Sequence, residues 1–212
     1  MIYFTSDLHI GQSPDTFRIP RPFSCAEEMN ETLINNWNSC VKNDDLVYVL
    51  GDLFSHDIKN AESYLCRLNG EKILIVGNHD HVWMDTLNLN KYFKKVALQL
   101  NIREDFGKCV LCHYPMMSWE GFSKCAFHIH GHIHNYCHSD YWPLLHALPY
   151  ALNAGVDVNN YAPAHILQLI TNNAEFKSKH PAGKFEPKSK EYWEACRKKQ
   201  ADELRANNEK QI

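Results

Sequence analysis

Residues 46–52 read Leu46-Val47-Tyr48-Val49-Leu50-Gly51-Asp52, a run of five apolar residues followed by a glycine and a carboxylate. An unbroken apolar run of this length is typical of a strand that is buried on both faces of a sheet. Residues 73–80, Ile73-Leu74-Ile75-Val76-Gly77-Asn78-His79-Asp80, have a similar arrangement, with four apolar residues followed by a glycine and polar side chains. Each segment therefore predicts a buried strand that ends in a polar turn.

Segments with helical spacing alternate with these apolar runs. Apolar residues recur at helical spacing over residues 26–41, and a second helix is expected over residues 58–68. Further strands are expected near residues 2–5, 96–102, 108–112, 126–130 and 151–153, and another helix from Pro163 to Leu169. This order of strands and helices indicates an α/β protein.

Charge is distributed unevenly along the 212 residues, whose formal net charge is −3. From Phe176 onward there are ten Lys/Arg and six Asp/Glu, so this part carries +4 and the preceding residues carry −7. We expect one domain over residues 1–175 and a charged, helical C-terminal tail over residues 176–212. An acidic body argues against a large nucleic-acid surface.

The cellular location is expected to be the cytoplasm. The eight cysteines show no paired framework, the first residues do not resemble a signal peptide, and there is no run of about 18 apolar residues. Interaction with a membrane is therefore not expected, and the oligomeric state stays open.

Five polar blocks follow the apolar runs. They are Asp7-Leu8-His9, Gly51-Asp52, Gly77-Asn78-His79-Asp80, His113 and Gly131-His132-Ile133-His134. The carboxyl ends of neighbouring strands share one edge of an α/β sheet, so the blocks are expected to meet in one cleft. Counted as metal donors, they offer two carboxylates (Asp7 and Asp52), one amide oxygen and four imidazoles, with His79 left over, which is enough to bind two divalent cations.

Two adjacent cations suit the hydrolysis of a phosphate ester, because they acidify a bridging water and neutralise the phosphate oxygens. Holding two cations close together requires a bridging anion, and Asp52 is the candidate for it. Asp7 and His9 have the spacing to bind one metal, and His132 and His134 share that spacing. Mixed imidazole and carboxylate ligands suit Mn²⁺, our first expectation, as well as Fe²⁺ or Zn²⁺.

The five blocks, in this order, resemble the motifs D-x-H, G-D, G-N-H-D, a single H and G-H-x-H of the calcineurin-like metallophosphoesterase superfamily. The resemblance implies an α/β fold of two facing mixed β-sheets, a β-sandwich, flanked by α-helices. It implies one metal on Asp7, His9, Asp52 and His134, and a second on Asp52, Asn78, His113 and His132. His79 would lie outside the metal shell and act as general acid, while a metal-bridging hydroxide attacks phosphorus.

Differences from the motifs of particular branches indicate which branch of the superfamily the chain resembles. Protein Ser/Thr phosphatases extend the second block to G-D-x-V-D-R-G, whereas Leu53-Phe54-Ser55-His56 follows Asp52 here. The chain is more similar to small, single-domain bacterial and phage phosphoesterases, which carry an R-P-F segment like Arg21-Pro22-Phe23. We therefore expect a phosphodiesterase or phosphatase that acts on a small, nucleotide-like substrate.

Arg18 and Arg21 are the candidates for contacts with the substrate phosphate, because guanidinium groups suit phosphate geometry. The alternative is that they are solvated charges or partners of Glu27 or Glu28. Two other functions remain open at this point, a metal-dependent nuclease of the same superfamily and a non-catalytic scaffold. A scaffold would be expected to lose metal ligands or His79, and none is lost.

Overall fold

The computed structural model describes residues 1–209. The chain forms a compact unit of residues 1–182 and a separate C-terminal segment that begins at Gly183. That segment contains a single long helix, α6 (Lys190–Glu209), among its described residues. Residues 210–212 of the expected tail lie outside the described residues.

The first sheet follows the apolar runs near the start of the chain. Its strands are β1 (Ile2–Thr5), β2 (Leu46–Val49), β3 (Glu71–Ile75) and β4 (Phe93–Ala97), in that order and all parallel. Parallel neighbours need crossover connections. Helices in these crossovers are α1 (Ala26–Cys40), α2 (Ala61–Leu65) and α3 (His81–Met84).

The second sheet contains β5 (Gln99–Glu104), β6 (Gly107–Cys112), β7 (Phe127–His130) and β8 (Ala151–Asn153). β5 and β6 form an antiparallel hairpin, whereas β6, β7 and β8 are parallel. The remaining helices of the compact unit are α4 (Trp142–His146), between β7 and β8, and α5 (Ile166–Lys179), after β8.

Successive residues of a strand point to opposite faces of its sheet, so each apolar run supplies two layers of core. On β1, Tyr3 packs in the cluster that contains the apolar face of α1, whereas Phe4 packs between the two sheets. On β6, Leu111 lies in the layer between the sheets, whereas Val110 packs with Trp142 of α4. The compact unit therefore has helices outside two facing sheets, with a separate apolar layer at each interface.

The expected α/β class with two sheets flanked by helices is confirmed. The second sheet is mixed as expected, whereas the first sheet is parallel throughout. The single strand expected near residues 96–102 is wrong, because β4 and β5 are two strands in different sheets. The chain crosses between the sheets at Leu98, whose side chain is 72% exposed. Hydrophobic spacing cannot distinguish one long strand from two short ones that are joined at such a crossing.

Two helix boundaries also differ from expectation. The second helix covers Ala61–Leu65, which is shorter than residues 58–68, and α5 starts at Ile166, three residues after Pro163, and continues to Lys179. Among the described residues, no helix has the length and apolar character required to cross a membrane.

The apolar layer between the sheets should contribute strongly to stability. Leu111→Ala, at a fully buried position, is expected to lower the free energy of unfolding by about 2–5 kcal/mol, because it leaves a cavity between packed sheets. The matched Leu167→Ala, at a site that is 66% exposed, should change it by no more than about 0.5 kcal/mol. Urea unfolding of both variants provides the measurement, and equal effects would contradict this assignment of the core.

Candidate metal centre

The structure places each polar block immediately after a strand and brings the blocks together at one edge of both sheets. Within the first sheet, the N–H of Asp7 donates to the carbonyl of Gly51 at 3.0 Å. Within the second, the N–H of Gly131 donates to the carbonyl of His113 at 2.9 Å. The N–H of Val156 donates to the carbonyl of Ser6 at 3.1 Å, which joins the two sheets beside the site.

Many of the predicted ligands have a backbone conformation that is rare for residues other than glycine. Asp7, His9, Asp52, His132 and His134 have φ angles of 57°, 49°, 53°, 72° and 50°. Only a few per cent of non-glycine residues have positive φ, and such strain concentrates at functional sites. The left-handed turns lie on either side of Leu8 and Ile133, which are buried, and they direct the flanking side chains into the cleft.

One group of potential ligands consists of Asp7, His9 and His134, whose donor atoms all lie within 4.8 Å of one another. His134 Nε2 is 3.9 Å from Asp7 Oδ1, and His9 Nε2 is 3.6 Å from Asp52 Oδ2. The rings of His9 and His134 are stacked, with centroids 5.1 Å apart. The donors therefore converge on a single small volume.

A second group surrounds His113. Its Nε2 lies 3.4 Å from Asp52 Oδ2 and 3.0 Å from Asn78 Oδ1, and Asn78 Oδ1 is also 3.0 Å from His132 Nδ1. Asp7, Asp52 and His113 likewise have donor atoms within 4.8 Å of one another. The Asp52 carboxylate thus borders both groups.

The chemistry of this donor set fits divalent cations. Both ring nitrogens of His9 are buried without a hydrogen-bond partner, which is rare for buried polar atoms. Asp7 and Asp52 are buried, and burial raises the pKa of the Asp7 carboxyl group. Burial disfavours the charged form of His113, but hydrogen bonding to Asp52 and the charge of Asp7 outweigh it and raise its pKa to about 9. Buried carboxylates and unpaired imidazoles are ligands suited to such cations.

Two glycines in the blocks are required by the close approach of these carboxylates. A Cβ atom on Gly77 would lie 2.3 Å from Asp52 Oδ1. A Cβ atom on Gly131 would lie 1.9 Å from Ser6 Oγ and 2.6 Å from Asp7 Oδ2. Because no side chain fits at these separations, the backbone itself forms part of the cavity that holds the carboxylates.

Asp80 fixes the turns after β2 and β3 relative to each other, a role that the sequence analysis did not assign to it. Its buried carboxylate accepts the N–H groups of Asp52, Leu53 and Gly77 at 2.9, 3.0 and 2.7 Å. It also accepts Trp83 Nε1–H at 2.9 Å. One carboxylate therefore satisfies four donors and holds the backbone of Asp52 in place.

Hydrogen bonds also orient the imidazole rings. His113 Nδ1–H donates to the carbonyl of Leu50 at 2.7 Å, which leaves Nε2 facing Asp52 and Asn78. His134 Nδ1–H donates to Asp157 Oδ2 at 2.9 Å and leaves Nε2 facing Asp7. A partner on one ring nitrogen sets the tautomer and presents the other nitrogen as a ligand.

The structure corrects the expectation that Arg21 contacts substrate. Its guanidinium is buried, donates to both carboxylate oxygens of Asp157 at 2.8 Å, and donates to the carbonyls of Leu8 and Asp7 at 2.8 and 2.6 Å. Asp157 also accepts a hydrogen bond from His134. Burial opposes ionisation of the Asp157 carboxyl group, but His134 and Arg21 outweigh this effect and keep its pKa below its usual range. Arg21 therefore stabilises the turn at Asp7 and Leu8 from inside the protein and links it to Asp157.

Asp157 is a residue of the site that was not predicted from the sequence. It lies four residues after the end of β8, so the rule that polar residues after strand ends line the cleft could have identified it. The partnership itself could not have been inferred, since Arg21 and Asp157 are 136 positions apart.

A cavity of about 320 Å³ opens over the metal centre. His79 is half-buried and lines this cavity. Its backbone N–H donates to Asp52 Oδ1 at 2.8 Å, and its ring centroid is 5.2 Å from that of His9. Arg18 is exposed and lines the same cavity, with its guanidinium stacked 3.6 Å from the ring centroid of Tyr136. On another side of the centre, the Tyr114 ring packs against His132 at 4.5 Å.

Substitution of Arg21 tests whether its buried ion pair with Asp157 stabilises the protein. Arg21→Met should lower the free energy of unfolding by about 3–5 kcal/mol, because it leaves the Asp157 charge buried without its cation. Arg67 forms a similar two-bonded pair with Glu31 on the surface, where the side chains are 42% and 54% exposed. Arg67→Met should cost less than about 1 kcal/mol. Urea unfolding would contradict this assignment if the two variants were equally stable.

Comparisons with known proteins find sequences and a structure that are similar to this chain. An uncharacterised protein of Methanocaldococcus jannaschii is 36% identical over 171 residues, which cover 80% of this chain and 89% of that protein. The gene 66 protein of Mycobacterium phage L5 is 41% identical over 81 residues, which cover 37% of this chain and 39% of the phage protein. The crystal structure of a protein of unknown function from Aquifex aeolicus is similar, with a TM-score of 0.59 and 25% identity over 77% of this chain and 94% of that one.

The family model of the calcineurin-like phosphoesterases matches residues 1–115, more than half of the chain. The matched residues include the blocks that contain Asp7, Asp52, Asn78 and His113. These ligand types lie together in the structure in groups that can hold metal ions. The chain therefore belongs to the calcineurin-like phosphoesterase family and is a metal-dependent hydrolase of phosphate esters.

Proposed function

We propose that this protein hydrolyses a small phosphate ester, as a phosphodiesterase or phosphatase, with two divalent cations and with Mn²⁺ as the preferred metal. One cation would be held by Asp7, His9, Asp52 and His134, and the other by Asp52, Asn78, His113 and His132. The observation that carries the proposal is the position of Asp52 Oδ2. It lies 3.6 Å from His9 Nε2 and 3.4 Å from His113 Nε2, so one buried carboxylate can serve both ligand groups.

When bound, the cations would supply an acidified water as nucleophile and positive charge for the phosphate oxygens. The protein contributes a rigid frame: Asp80 holds the backbone of Asp52, and Asp157 and Leu50 orient His134 and His113. Groups held in this way need little rearrangement during the reaction.

His79 is the proposed general acid. Its backbone is tied to Asp52, and its ring lines the cavity beside His9. An imidazole in this position can donate a proton to the leaving oxygen. Proton donation accelerates the reaction most when the leaving group is a poor one. The dependence of the rate on the leaving group therefore tests whether His79 is the general acid.

The size of the cavity and the charge of the chain support a small substrate. A cavity of about 320 Å³ lies at the low end of the range for small-molecule sites. The residues before Phe176 carry a net charge of −7, which is unfavourable for binding a polymer of phosphates. We therefore favour a nucleotide-sized ester over a nucleic acid.

Metal dependence is tested with chelator-treated protein to which Mn²⁺ is returned. Wild type should bind two Mn²⁺ per chain, hydrolyse p-nitrophenyl phosphate or bis(p-nitrophenyl) phosphate only with metal, and melt at a higher temperature when loaded. Asp52→Asn should bind less metal and lose at least about 100-fold in kcat/KM. Asp105→Asn, at an exposed turn, is the matched control. Equal, metal-independent rates in all three proteins would refute the proposed mechanism.

The role of His79 is tested by comparing aryl and alkyl esters. His79→Gln should lower kcat/KM for glycerol 2-phosphate or a dinucleoside monophosphate by about 10²–10⁴-fold. The loss on the corresponding nitrophenyl esters should be much smaller, because nitrophenolate leaves without a proton. His81→Gln, at an exposed position outside the cavity, is the matched control. A loss that is independent of the leaving group would show that His79 is not the acid.

A further inference from the structure

We propose that Arg18, stacked on Tyr136, forms an anion subsite beside the metal centre, and that the preferred substrate is a small ester carrying a second phosphate. The inference rests on the proposed function, because it assigns the scissile phosphate to the metal centre. It adds the class of substrate, a mononucleotide-sized ester with a further phosphate away from the bond that is broken.

The Arg18 guanidinium is held in place without being neutralised. It lies 3.6 Å from the ring centroid of Tyr136, a distance at which the cation and the aromatic face attract each other. Among the described residues, no carboxylate forms an ion pair with Arg18, whereas Arg21 and Arg67 each bind one in two-bonded geometry. Stacking occupies the flat face of a guanidinium and leaves its N–H edge for an oxyanion.

Arg18 and its neighbour Phe17 have different partners in the wall of the cavity. The ring of Phe17 lies 5.5 Å from that of His9 and 5.6 Å from that of His134, so Phe17 packs directly against the centre. Arg18 instead contacts Tyr136, two residues beyond His134, and both line the same cavity. Because the contact of Arg18 is with Tyr136 and not with a potential metal ligand, we assign Arg18 to a group of the substrate other than the scissile phosphate.

The charge of the cavity also favours a second anion at this position. Among the described residues that line the cavity, Arg18 is the sole Lys or Arg. Because the residues before Phe176 carry a net charge of −7, an anionic substituent needs a local cation to be bound here. A polynucleotide would require a continuous basic track, and a cavity of about 320 Å³ with one cation does not provide it.

Two chromogenic esters isolate the second phosphate. The p-nitrophenyl ester of thymidine 5′-phosphate and the same compound with a 3′-phosphate share the nucleoside and the leaving group. With Mn²⁺-loaded wild type, kcat/KM for the 3′-phosphorylated ester should be about tenfold higher or more, as expected for a hydrogen bond between charged groups. Affinity for thymidine 3′,5′-bisphosphate should exceed that for thymidine 5′-monophosphate in the same way.

Four variants and a control assign that preference to the subsite. Arg18→Ala should reduce the ratio between the two esters to about one, and Arg18→Lys should give an intermediate ratio because it keeps the charge without the planar fork. Tyr136→Leu should reduce the ratio by removing the stacking surface, whereas Tyr136→Phe should retain it. Arg103→Ala, at an exposed position on β5, should leave both rates unchanged.

Each contrary outcome has a distinct meaning. Absence of metal-dependent turnover of both esters would refute the proposed function, and the binding titration would still decide on the subsite. Equal affinity of wild type for the two nucleotides would overturn the subsite. An equal loss on both esters in Arg18→Ala would place Arg18 on the scissile phosphate, and cleavage of a thymidine oligonucleotide faster than the 3′-phosphorylated ester would overturn the small substrate.

Discussion

The burial of the Asp7 and Asp52 carboxylates where the two sheets meet is the constraint on which the rest of the site depends. Both side chains are almost inaccessible to water, and a buried charge is tolerated only when it is paired or bonded. Burying the carboxylates at this position requires a left-handed backbone at both residues. It also requires glycine at Gly77 and Gly131, where an added Cβ atom would collide with the carboxylates. Local strain of this kind persists because the surrounding sheets over-determine the conformation.

A shell of charged groups behind the ligands stabilises this arrangement. Asp80 binds the backbone of Asp52, and Arg21 links the carbonyls of Asp7 and Leu8 to Asp157, which in turn orients His134. The side chains of both groups of potential ligands are thus held by buried partners. The same buried carboxylate of Asp157 that pairs with Arg21 also sets the tautomer of His134, a potential ligand.

Much of the fold and of the site could be predicted from local patterns. The apolar runs that end at Leu50 and Val76 identify buried strands, and the polar residues after them identify the edge where the blocks meet. The crossing at Leu98 between the two sheets could not be predicted, because sheet membership depends on which strands pair and not on spacing within a strand. The role of Arg21 was misjudged for a similar reason, since its partner Asp157 is distant in sequence.

The sequence by itself determined the class of the protein, because the order and type of the metal-binding residues are local properties of short blocks that each follow a strand. Only the tertiary structure decided which of two arginines, Arg18 or Arg21, is exposed in the cavity. Arg18 and Arg21 are three positions apart and look equivalent in sequence, yet one is stacked and exposed in the cavity and the other is neutralised inside the protein. The physical reason is that the solvation and pairing of a charge depend on long-range packing, which no local pattern encodes.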